Sequence, residues 1–364
     1  MARRVSSDRV LFGAGVVLVL SGVLMVYSAS AVIASGLSGG SYYFLIRQVA
    51  FAAVGLGLMV MMMNVDYRRL ARPLVVFPAL SLQVVLLILV FFGSSSHHAH
   101  RWLHFPGGLG FEPSELSKVA LVIFLAWFLD LRKDSVDDLK HTLLPVALVA
   151  GLSIALVLAE PDLGTSLTIA LILAAMLFAA GLHWGYFAGG VMAAVPVVGS
   201  LIYLEPYRLR RWLAFLNPDA DPLGKGFQII QARIAVGSGG IDGVGYMAGK
   251  QKLFYLPEPH TDFIFAVIGE ELGFLGCVAL LALFAVLLWR GLRAAARCPD
   301  EFGRLLAIGI TVLLVGQALV NLTMVVGLMP TKGIALPLVS YGGSSLLMNL
   351  LAVGILLNIS RHAS

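Results

Sequence analysis

Ten apolar runs, each long enough to cross a bilayer, dominate this chain of 364 residues. A membrane-spanning helix needs about 20 apolar residues, and a helix satisfies every main-chain polar group within its own segment. The runs predict transmembrane helices at 10–33, 45–64, 73–93, 113–131, 142–159, 163–182, 185–204, 262–289, 304–328 and 335–359. The sequence therefore predicts an all-α polytopic membrane protein with ten transmembrane helices, in which residues 1–364 form a single domain.

The composition excludes other classes of protein. Only 12% of the residues are charged, 59% are apolar, and the mean hydropathy is +0.92. An ordinary soluble domain carries about 25% charged residues, so this chain has too few charges to be a soluble enzyme or a disordered protein. Two cysteines, Cys277 and Cys298, are also too few for a secreted domain held together by disulfides.

The positive charges predict an orientation. Short connections on one side of the predicted bundle carry 14 Lys and Arg residues, against three on the other side, Arg47, Arg101 and Lys332. Cytoplasmic loops are enriched in Lys and Arg, so both termini should be cytoplasmic. The net charge of +5 then reflects orientation, and no compact basic motif for nucleic acid is present. The first apolar run exceeds the h-region of a signal peptide, about 7–15 residues, which favours an uncleaved anchor.

One connection is much longer than the rest. Residues 205–261 form a predicted extracytoplasmic loop of 57 residues between helices 7 and 8, and the loop carries seven Lys and Arg residues. Loops of this length in compact proteins are functional or disordered. Its Trp, Phe, Ile and Tyr content argues against disorder, so we expect an ordered, functional loop.

Several charged residues lie within predicted spans, where each costs about 2.5–3.5 kcal/mol to insert. Glu115 and Lys118 share one face of the fourth span and can pair. The pair is either a buried salt bridge that fixes helix packing or part of a polar cavity open to the outer leaflet. Glu270 and Glu271 cannot both share a lipid-facing side, so at least one should face the protein interior.

Asp262 stands at the start of the eighth span. A carboxylate in this position can cap the helix by accepting main-chain N–H bonds. Alternatively, Thr261 caps the helix and leaves Asp262 free for chemistry.

The stretch from Leu336 to Ser345 is unusual for a membrane span, because Pro337, Gly342 and Gly343 interrupt a helix. Irregular backbone at membrane depth survives only where it is buried in protein or lines a wet cavity. The serines of this stretch would either bind a ligand or satisfy freed carbonyls; they are Ser340, Ser344 and Ser345.

Common soluble-enzyme motifs are missing from the sequence. The glycine-rich stretch at 236–245 fits neither the dinucleotide fingerprint nor the P-loop, and no G-x-S-x-G or H-E-x-x-H occurs. One predicted loop contains four histidines, His97, His98, His100 and His104. Histidines scattered in an exposed loop are more often solvated than metal-bound, so they do not predict a metal site.

Taken together, the motifs resemble those of the SEDS family, the polytopic proteins of bacterial cell-wall assembly. The resemblance runs nearly end to end and rests on the segments 101–103, 113–118, 161–165, 237–240, 255–265, 269–273 and 336–345. Residues 330–333, Pro-Thr-Lys-Gly, favour the division-type members over the elongation type.

This resemblance implies an inverting glycosyltransferase that polymerises lipid II, a disaccharide-pentapeptide on undecaprenyl pyrophosphate, into β-1,4-linked glycan. The alternatives are an elongation-type glycosyltransferase, a lipid II flippase and a non-catalytic division scaffold. An extracytoplasmic carboxylate favours the enzyme, because a flippase needs no base at one face.

Asp262 matches the position of the family's catalytic Asp, which implies that it is the general base. The expected substrate-binding residues are Arg101, Glu115, Lys118, Arg208, Arg211, Lys332, Ser340, Gly342, Gly343 and Ser344. Further loop cations that could hold the pyrophosphate are Arg210, Lys250 and Lys252. A divalent cation, Mg²⁺ or Mn²⁺, would also suit a diphosphate, although the sequence contains no visible set of ligands for one.

The resemblance also implies partners and a location. The expected partners are a class B penicillin-binding protein, which supplies the transpeptidase, and other proteins of the division machinery. The expected location is the division septum, in the cytoplasmic membrane. The chain departs from the family at Glu112 and Glu160, where Gln is usual, and at Arg233 and Met247 in the long loop.

Overall fold

The computed structural model describes residues 7–36, 40–93, 101–105, 109–222, 224, 226–253 and 255–363. His97, His98 and His100 of the histidine-rich loop lie outside these ranges. The helices are α1 (Arg9–Ser35), α2 (Tyr43–Asn64), α3 (Pro73–Val90), α4 (Pro113–Leu131), α5 (Leu144–Ala159), α6 (Leu163–Ala179), α7 (Trp184–Tyr203), α8 (Pro206–Leu216), α9 (Phe227–Ser238), α10 (Ile264–Arg297), α11 (Glu301–Thr311), α12 (Gln317–Val325) and α13 (Gly343–His362). Two short antiparallel strands, β1 (Leu103–Phe105) and β2 (Leu109–Phe111), precede α4.

The predicted polytopic helical architecture is confirmed. Over the described ranges, eight helical segments are long and apolar enough to cross a membrane. Helices α11 and α12 form one of these segments, since a single π-helical turn joins them. Two predicted spans fall short: α4 carries three charged residues, and α6 has only 17 residues. The total of ten spans therefore stays a prediction.

The described residues nearest to the two termini lie at one end of the bundle. The main-chain N–H of Asp8 donates to Ser360 Oγ at 3.3 Å, and the Asp8 carboxylate pairs with Arg290 near the end of α10. Tyr67, between α2 and α3, donates its main-chain N–H to Asn358 Oδ1 at 2.9 Å. Since α13 runs for 20 residues, about 30 Å, its first residue, Gly343, lies at the opposite end.

Helices α4, α11, α12 and α13 form the buried centre of the bundle. In the Glu301–Val325 segment and in α13, 78% of the most apolar stretch is buried, whereas α7 has no buried residue among those described. The central position of α4 explains how a chain of such low charge tolerates Glu115 and Lys118 within a span.

The long predicted loop is ordered in its described parts and contains α8 and α9. Its glycine-rich segment is hydrogen-bonded to a break in α10, where Gly273 has a φ of +64°. The main-chain N–H of Phe274 donates to the Gly240 carbonyl at 2.9 Å, and that of Val244 donates to the Glu270 carbonyl at 3.0 Å. A Cβ on Gly273 would lie 2.3 Å from Gly243 N, so only glycine fits here.

The connection from α12 to α13 is non-helical, as Pro337 and the paired glycines predicted. The predicted span at 335–359 was wrong at its start, because α13 begins only at Gly343. Leu338 adopts a φ of +66° in this connection, and the Leu336 main-chain N–H donates to Ser340 Oγ at 2.8 Å. A local turn with side-chain hydrogen bonds thus replaces two turns of helix.

Candidate active site

A cavity of about 1050 Å³ opens at the end of the bundle opposite the termini. Its walls come from α2, the start of α4, the turn between α5 and α6, α8, and the connections before α10 and α13. Seven of the predicted substrate-binding residues line it, together with Asp262; the seven are Arg101, Glu115, Arg208, Arg211, Lys332, Gly342 and Gly343.

Asp262 lies just before α10 and does not cap it. Helix α10 has no side-chain cap, and the Thr261 hydroxyl donates instead to the Glu258 carbonyl at 3.3 Å. Both capping alternatives from the sequence were therefore wrong. Neighbouring elements fix the main chain here: Asn321 Nδ2 donates to the Asp262 carbonyl at 2.9 Å, and Ser340 Oγ donates to the Thr261 carbonyl at 2.6 Å. The Asp262 carboxylate is left to face the cavity.

The surroundings of Asp262 raise the pKa of its carboxyl to about 7. Burial is the largest cause, and the negative charges of Glu258 and Asp162 add to it. The positive charges of Arg101 and Arg211 oppose the rise. A carboxylate with a pKa near neutrality can accept a proton at physiological pH and release it again, which is the property of a general base.

Arg101 lies beside this carboxylate. Its Nε donates to the Glu160 carbonyl at 3.0 Å and its Nη2 to the Pro161 carbonyl, so the turn between α5 and α6 holds the guanidinium. A Cβ placed on Gly333 would lie 3.2 Å from Asp262 Oδ2 and 3.9 Å from Arg101 Nη1. Because Gly333 has no side chain, the space between the carboxylate and the guanidinium stays open to a ligand.

Three further cations converge on the same part of the cavity. Arg211 donates to the Thr331 carbonyl at 3.2 Å, and its guanidinium lies 4.6 Å from the centre of the Tyr207 ring. Arg208 donates to the Leu201 carbonyl at 3.2 Å. Lys332 lines the cavity, and burial lowers the pKa of its ammonium group. This arrangement suits an anionic ligand that carries several negative charges.

The sequence left two alternatives for Glu115 and Lys118, a buried salt bridge or part of a polar cavity, and the structure combines them. Lys118 is fully buried; its Nζ donates to Glu115 Oε1 at 2.9 Å and to Gln317 Oε1 at 2.7 Å. Glu115 and Gln317 line the cavity, whereas Lys118 lies behind them. The pair is thus a buried salt bridge, and its acidic member faces the cavity.

Ser340 and Ser344 do not line the cavity. Ser340 Oγ joins the α12–α13 connection to Thr261, as described above, and Ser344 Oγ accepts a hydrogen bond from the Glu112 main-chain N–H at 3.3 Å. Gly342 and Gly343 do line it, and a Cβ on Gly343 would lie 2.5 Å from the Phe51 ring. The two serines therefore satisfy main-chain groups that support the cavity wall.

Two loop lysines have other contacts than the sequence suggested. Lys252 is buried; its Nζ lies 2.5 Å from Glu271 Oε1 and 2.9 Å from Ser28 Oγ. Glu270 accepts from the Lys250 main-chain N–H at 2.7 Å. Neither lysine lines the cavity, and Arg210 does not either. The proposed pyrophosphate role of Lys252 was wrong, since its charge is neutralised by Glu271, whereas the prediction that Glu270 or Glu271 faces the interior is confirmed.

The described residues do not form a metal site of their own. No group of three or more His, Cys, Asp or Glu side chains within the described ranges could hold a metal ion. A Mg²⁺ or Mn²⁺ ion would therefore find no cluster of three such side chains in the described residues.

Several residues that line or support the cavity were not predicted from the sequence, among them Arg47, His260, Gln317, Asn321 and Tyr341. Gln317 and Asn321 are polar residues in a predicted span, and this was the available signal for them. Arg47 was taken only as a topology marker, although it is a charge at the edge of an apolar run.

Comparison with known proteins identifies the family. A model of the cell cycle protein family of FtsW, RodA and SpoVE matches residues 8–364. The probable peptidoglycan glycosyltransferase FtsW of Trichlorobacter lovleyi is 47% identical over 356 residues, which cover 97% of this chain and 93% of that protein.

Solved structures agree with the sequence relatives. A chain from a study of how a peptidoglycan synthase complex coordinates polymerization and crosslinking is 33% identical, covers 98% of each chain and superposes with a TM-score of 0.80. The rod shape determining protein RodA of Thermus thermophilus is 29% identical and gives a TM-score of 0.71, covering 98% of this chain and 97% of that one. The chain is therefore an integral membrane protein that belongs to the FtsW, RodA and SpoVE family of cell cycle proteins.

Proposed function

We propose that this protein polymerises lipid II into glycan strands for the septal cell wall, with Asp262 as the general base. The observation that carries the proposal is the position of one carboxylate, with a pKa raised to about 7, beside a converging set of cations in a single cavity. Relatives named peptidoglycan glycosyltransferase, at 45% to 47% identity over nearly the whole chain, support the activity.

The reaction joins two lipid-linked sugars. The 4-hydroxyl of the acceptor attacks the anomeric carbon of the donor, and Asp262 takes the hydroxyl proton as the new C–O bond forms. The bond between the anomeric carbon and the diphosphate oxygen breaks, and its electron pair leaves with the diphosphate. An α-linked donor gives a β-1,4 product, so the attack inverts the configuration and needs no covalent intermediate on the enzyme.

The cations beside Asp262 stabilise the leaving group. Charge develops on the diphosphate as the bond breaks, and fixed positive groups in a partly buried site stabilise such charge strongly. Arg101 and Arg211 are anchored to main-chain carbonyls, so they need little reorganisation during the reaction. If Mg²⁺ or Mn²⁺ takes part, we propose that the diphosphate would supply most of its ligands and that the ion would neutralise charge on the leaving group, because the described residues hold no group of three or more potential metal ligands.

The proposal extends to orientation, location and partner. Both termini lie at the end of the bundle away from the cavity, so cytoplasmic termini would place the cavity on the side where the headgroup of lipid II is used. The higher identity to an FtsW relative, 47%, than to RodA, 29%, supports the proposed location at the septum. The similarity to a chain of a peptidoglycan synthase complex supports a class B penicillin-binding protein as partner, together with other division proteins.

The decisive experiment uses the purified protein in liposomes with labelled lipid II, alone and with its transpeptidase partner. Loss of a general base lowers rates by about 10²–10⁴-fold, so Asp262→Asn and Asp262→Ala should make almost no glycan. Asp242→Asn, which alters an exposed acid outside the cavity, is the matched control and should polymerise normally. Full polymerisation by Asp262→Ala would disprove the proposal, and faster lipid II crossing without any glycan would instead indicate a flippase.

A further inference from the structure

A second group of residues, which we call the Arg47 pocket, consists of Phe44, Arg47, His260 and Tyr341; the last three line the cavity, and Phe44 packs against His260 and Tyr341. Arg47 and Phe44 lie in the first turns of α2. The Arg47 guanidinium is 4.4 Å from the centre of the Tyr43 ring and is hydrogen-bonded to the Tyr341 hydroxyl. The ring of Phe44 is 4.5 Å from His260 and 5.0 Å from Tyr341, measured between centroids.

His260 gives an independent indication that this pocket binds a ligand. Its side chain is only 7% exposed and lines the cavity, yet its Nδ1 atom has no hydrogen-bond partner among the described residues. Leaving a buried polar atom unpaired costs about 1–3 kcal/mol, and such atoms in native proteins usually have a partner. Burial lowers the pKa of His260, so its ring is neutral and offers one donor and one acceptor.

The Arg47 pocket and the cations beside Asp262 are built from different elements. Arg101, Arg208, Arg211 and Lys332 are held by the α5–α6 turn, α8 and the connection after α12. In the Arg47 pocket, Phe44 and Arg47 lie in α2, His260 lies in the connection before α10, and Tyr341 lies at the end of the connection before α13. The short segment from His260 to Asp262 connects the two, because the Tyr341 main-chain N–H donates to the His260 carbonyl at 2.9 Å while Asp262 faces Gly333.

The chemistry of the proposed reaction requires two separate anion sites. In the donor, the diphosphate is attached directly to the carbon that reacts, so its cations must lie beside the general base. In the acceptor, a whole disaccharide separates the diphosphate from the attacking 4-hydroxyl. A site for the acceptor diphosphate must therefore lie in the same cavity but away from the base.

We propose that the Arg47 pocket is the acceptor site, an inference that rests on the proposed glycosyltransferase activity. Arg47 binds the acceptor diphosphate, since a guanidinium matches phosphate oxygens with two parallel hydrogen bonds. His260 Nδ1 pairs with a polar group of the acceptor sugar. The Tyr341 ring, which Phe44 supports from behind, provides an apolar face against which the sugar packs.

The test separates the two substrates chemically. Lipid II with its terminal 4-hydroxyl blocked acts only as donor, and an analogue with a methylene in place of the anomeric oxygen acts only as acceptor. Coupling of the two is measured in detergent with the purified protein and its partner, and each concentration is varied while the other is saturating. Arg47→Gln should raise the acceptor KM about tenfold or more, since a hydrogen bond to a charged group is lost, and should leave the donor KM within about twofold.

Further variants control for folding and charge. Arg47→Lys keeps the charge and should recover part of the acceptor affinity, while Tyr341→Phe removes only the hydroxyl that contacts Arg47 and should raise the acceptor KM by a smaller factor. Arg297→Gln removes an exposed arginine at the far end of α10 and should change neither KM. Normal donor KM in the variants would show that they are folded.

Four outcomes would overturn the inference. Arg47→Gln could raise the donor KM instead, or raise both equally, or raise neither. If Arg47→Gln raised the acceptor KM in anionic phospholipid vesicles but not in phospholipid-free detergent, Arg47 would bind a lipid headgroup rather than the acceptor. Failure of the unmodified protein to couple the two analogues would count against the proposed function itself, which separates the two failures.

Discussion

The side-chain amide of Asn321 donates one hydrogen bond to the Asp262 carbonyl at 2.9 Å and a second to the Ile334 carbonyl at 2.7 Å. Asn321 lies in α12 and is fully buried. Ile334 follows Gly333, whose open space faces the Asp262 carboxylate. One amide thus fixes the main chain on both sides of the place where the reacting groups would meet.

Replacement of Asn321 should slow the reaction without removing any catalytic group. Asn321→Leu leaves two buried carbonyls without their partner, which costs about 1–3 kcal/mol each. A displacement of about 1 Å at a reacting group can cost on the order of 100-fold in rate. We expect kcat to fall at least about tenfold, and the unfolding temperature to fall as well, measured by glycan synthesis and by thermal unfolding in detergent.

Asn358 provides a matched control for Asn321. It is buried in α13 at the termini end, where its Nδ2 donates to the Met63 carbonyl at 2.9 Å and its Oδ1 accepts from the Tyr67 N–H at 2.9 Å. Asn358→Leu should lower the unfolding temperature by a similar amount and leave kcat nearly unchanged. If both variants lost activity equally, Asn321 would have only a structural role.

The charge of Glu258 should contribute to the pH at which the enzyme becomes active. Burial is the largest cause of the raised Asp262 pKa, about 7, and the charge of Glu258 is the next; the base must be deprotonated to work. Activity should therefore rise with pH and level off above about 7. Glu258→Gln removes a negative charge, lowers the pKa of Asp262 and moves the acid limb of log kcat/KM to lower pH. A shift to higher pH would contradict the assigned cause.

The matched control for this shift is Glu301→Gln. Glu301 pairs with Arg304 at the start of α11, away from the cavity lining. Its replacement should leave the pH profile in place. The comparison is made with initial rates at saturating and at low lipid II, from about pH 5 to pH 9.

The membrane helices could be predicted from the sequence more easily than the residues that line the cavity. Long apolar runs fix where helices form, because a bilayer allows little else. Asp262 was found because it is a charge at the edge of such a run. Arg47, His260 and Tyr341 come from three distant parts of the chain, and no local pattern indicates that they meet. Lys252 was misassigned for the same reason, since its partner Glu271 is buried and lies on another element.

Removing one partner of the Glu115–Lys118 salt bridge in α4 should destabilise the protein more than removing both partners. Lys118→Met leaves the Glu115 carboxylate buried without its partner, which typically costs about 3–5 kcal/mol. The double variant Lys118→Met with Glu115→Gln removes both charges and should recover much of that loss. Thermal unfolding of the two single variants and the double variant gives the coupling energy. A double variant whose loss of stability equals the sum of the two single losses would show that the pair is not coupled as the 2.9 Å contact implies.

Glu160 is a buried carboxyl group in the turn between α5 and α6, where neither of its side-chain oxygens has a partner among the described residues. Burial, followed by the charges of Asp162 and Glu112, raises its pKa from 4.5 to about 8. Between these two pH values the folded protein holds a proton that the unfolded chain has released. The free energy of unfolding must therefore decrease as the pH rises from about 4.5 to about 8.

Replacing this carboxyl by its amide should remove that pH dependence. Glu160→Gln should match the unmodified protein near pH 4.5 and become progressively more stable than it up to pH 8, by at most about 5 kcal/mol for a shift of this size. Asp162→Ala tests the cause from the same turn, because Asp162 caps α6 by accepting from the Gly164 and Thr165 N–H groups at 3.1 Å and its charge also raises the pKa of Glu160. Its loss should cost about 0.5–2 kcal/mol through the cap and should make the pH dependence of unfolding smaller. The prediction is checked by measuring unfolding temperatures across this pH range. If the stability of Glu160→Gln relative to the unmodified protein did not grow with pH, Glu160 would be ionised in the folded protein.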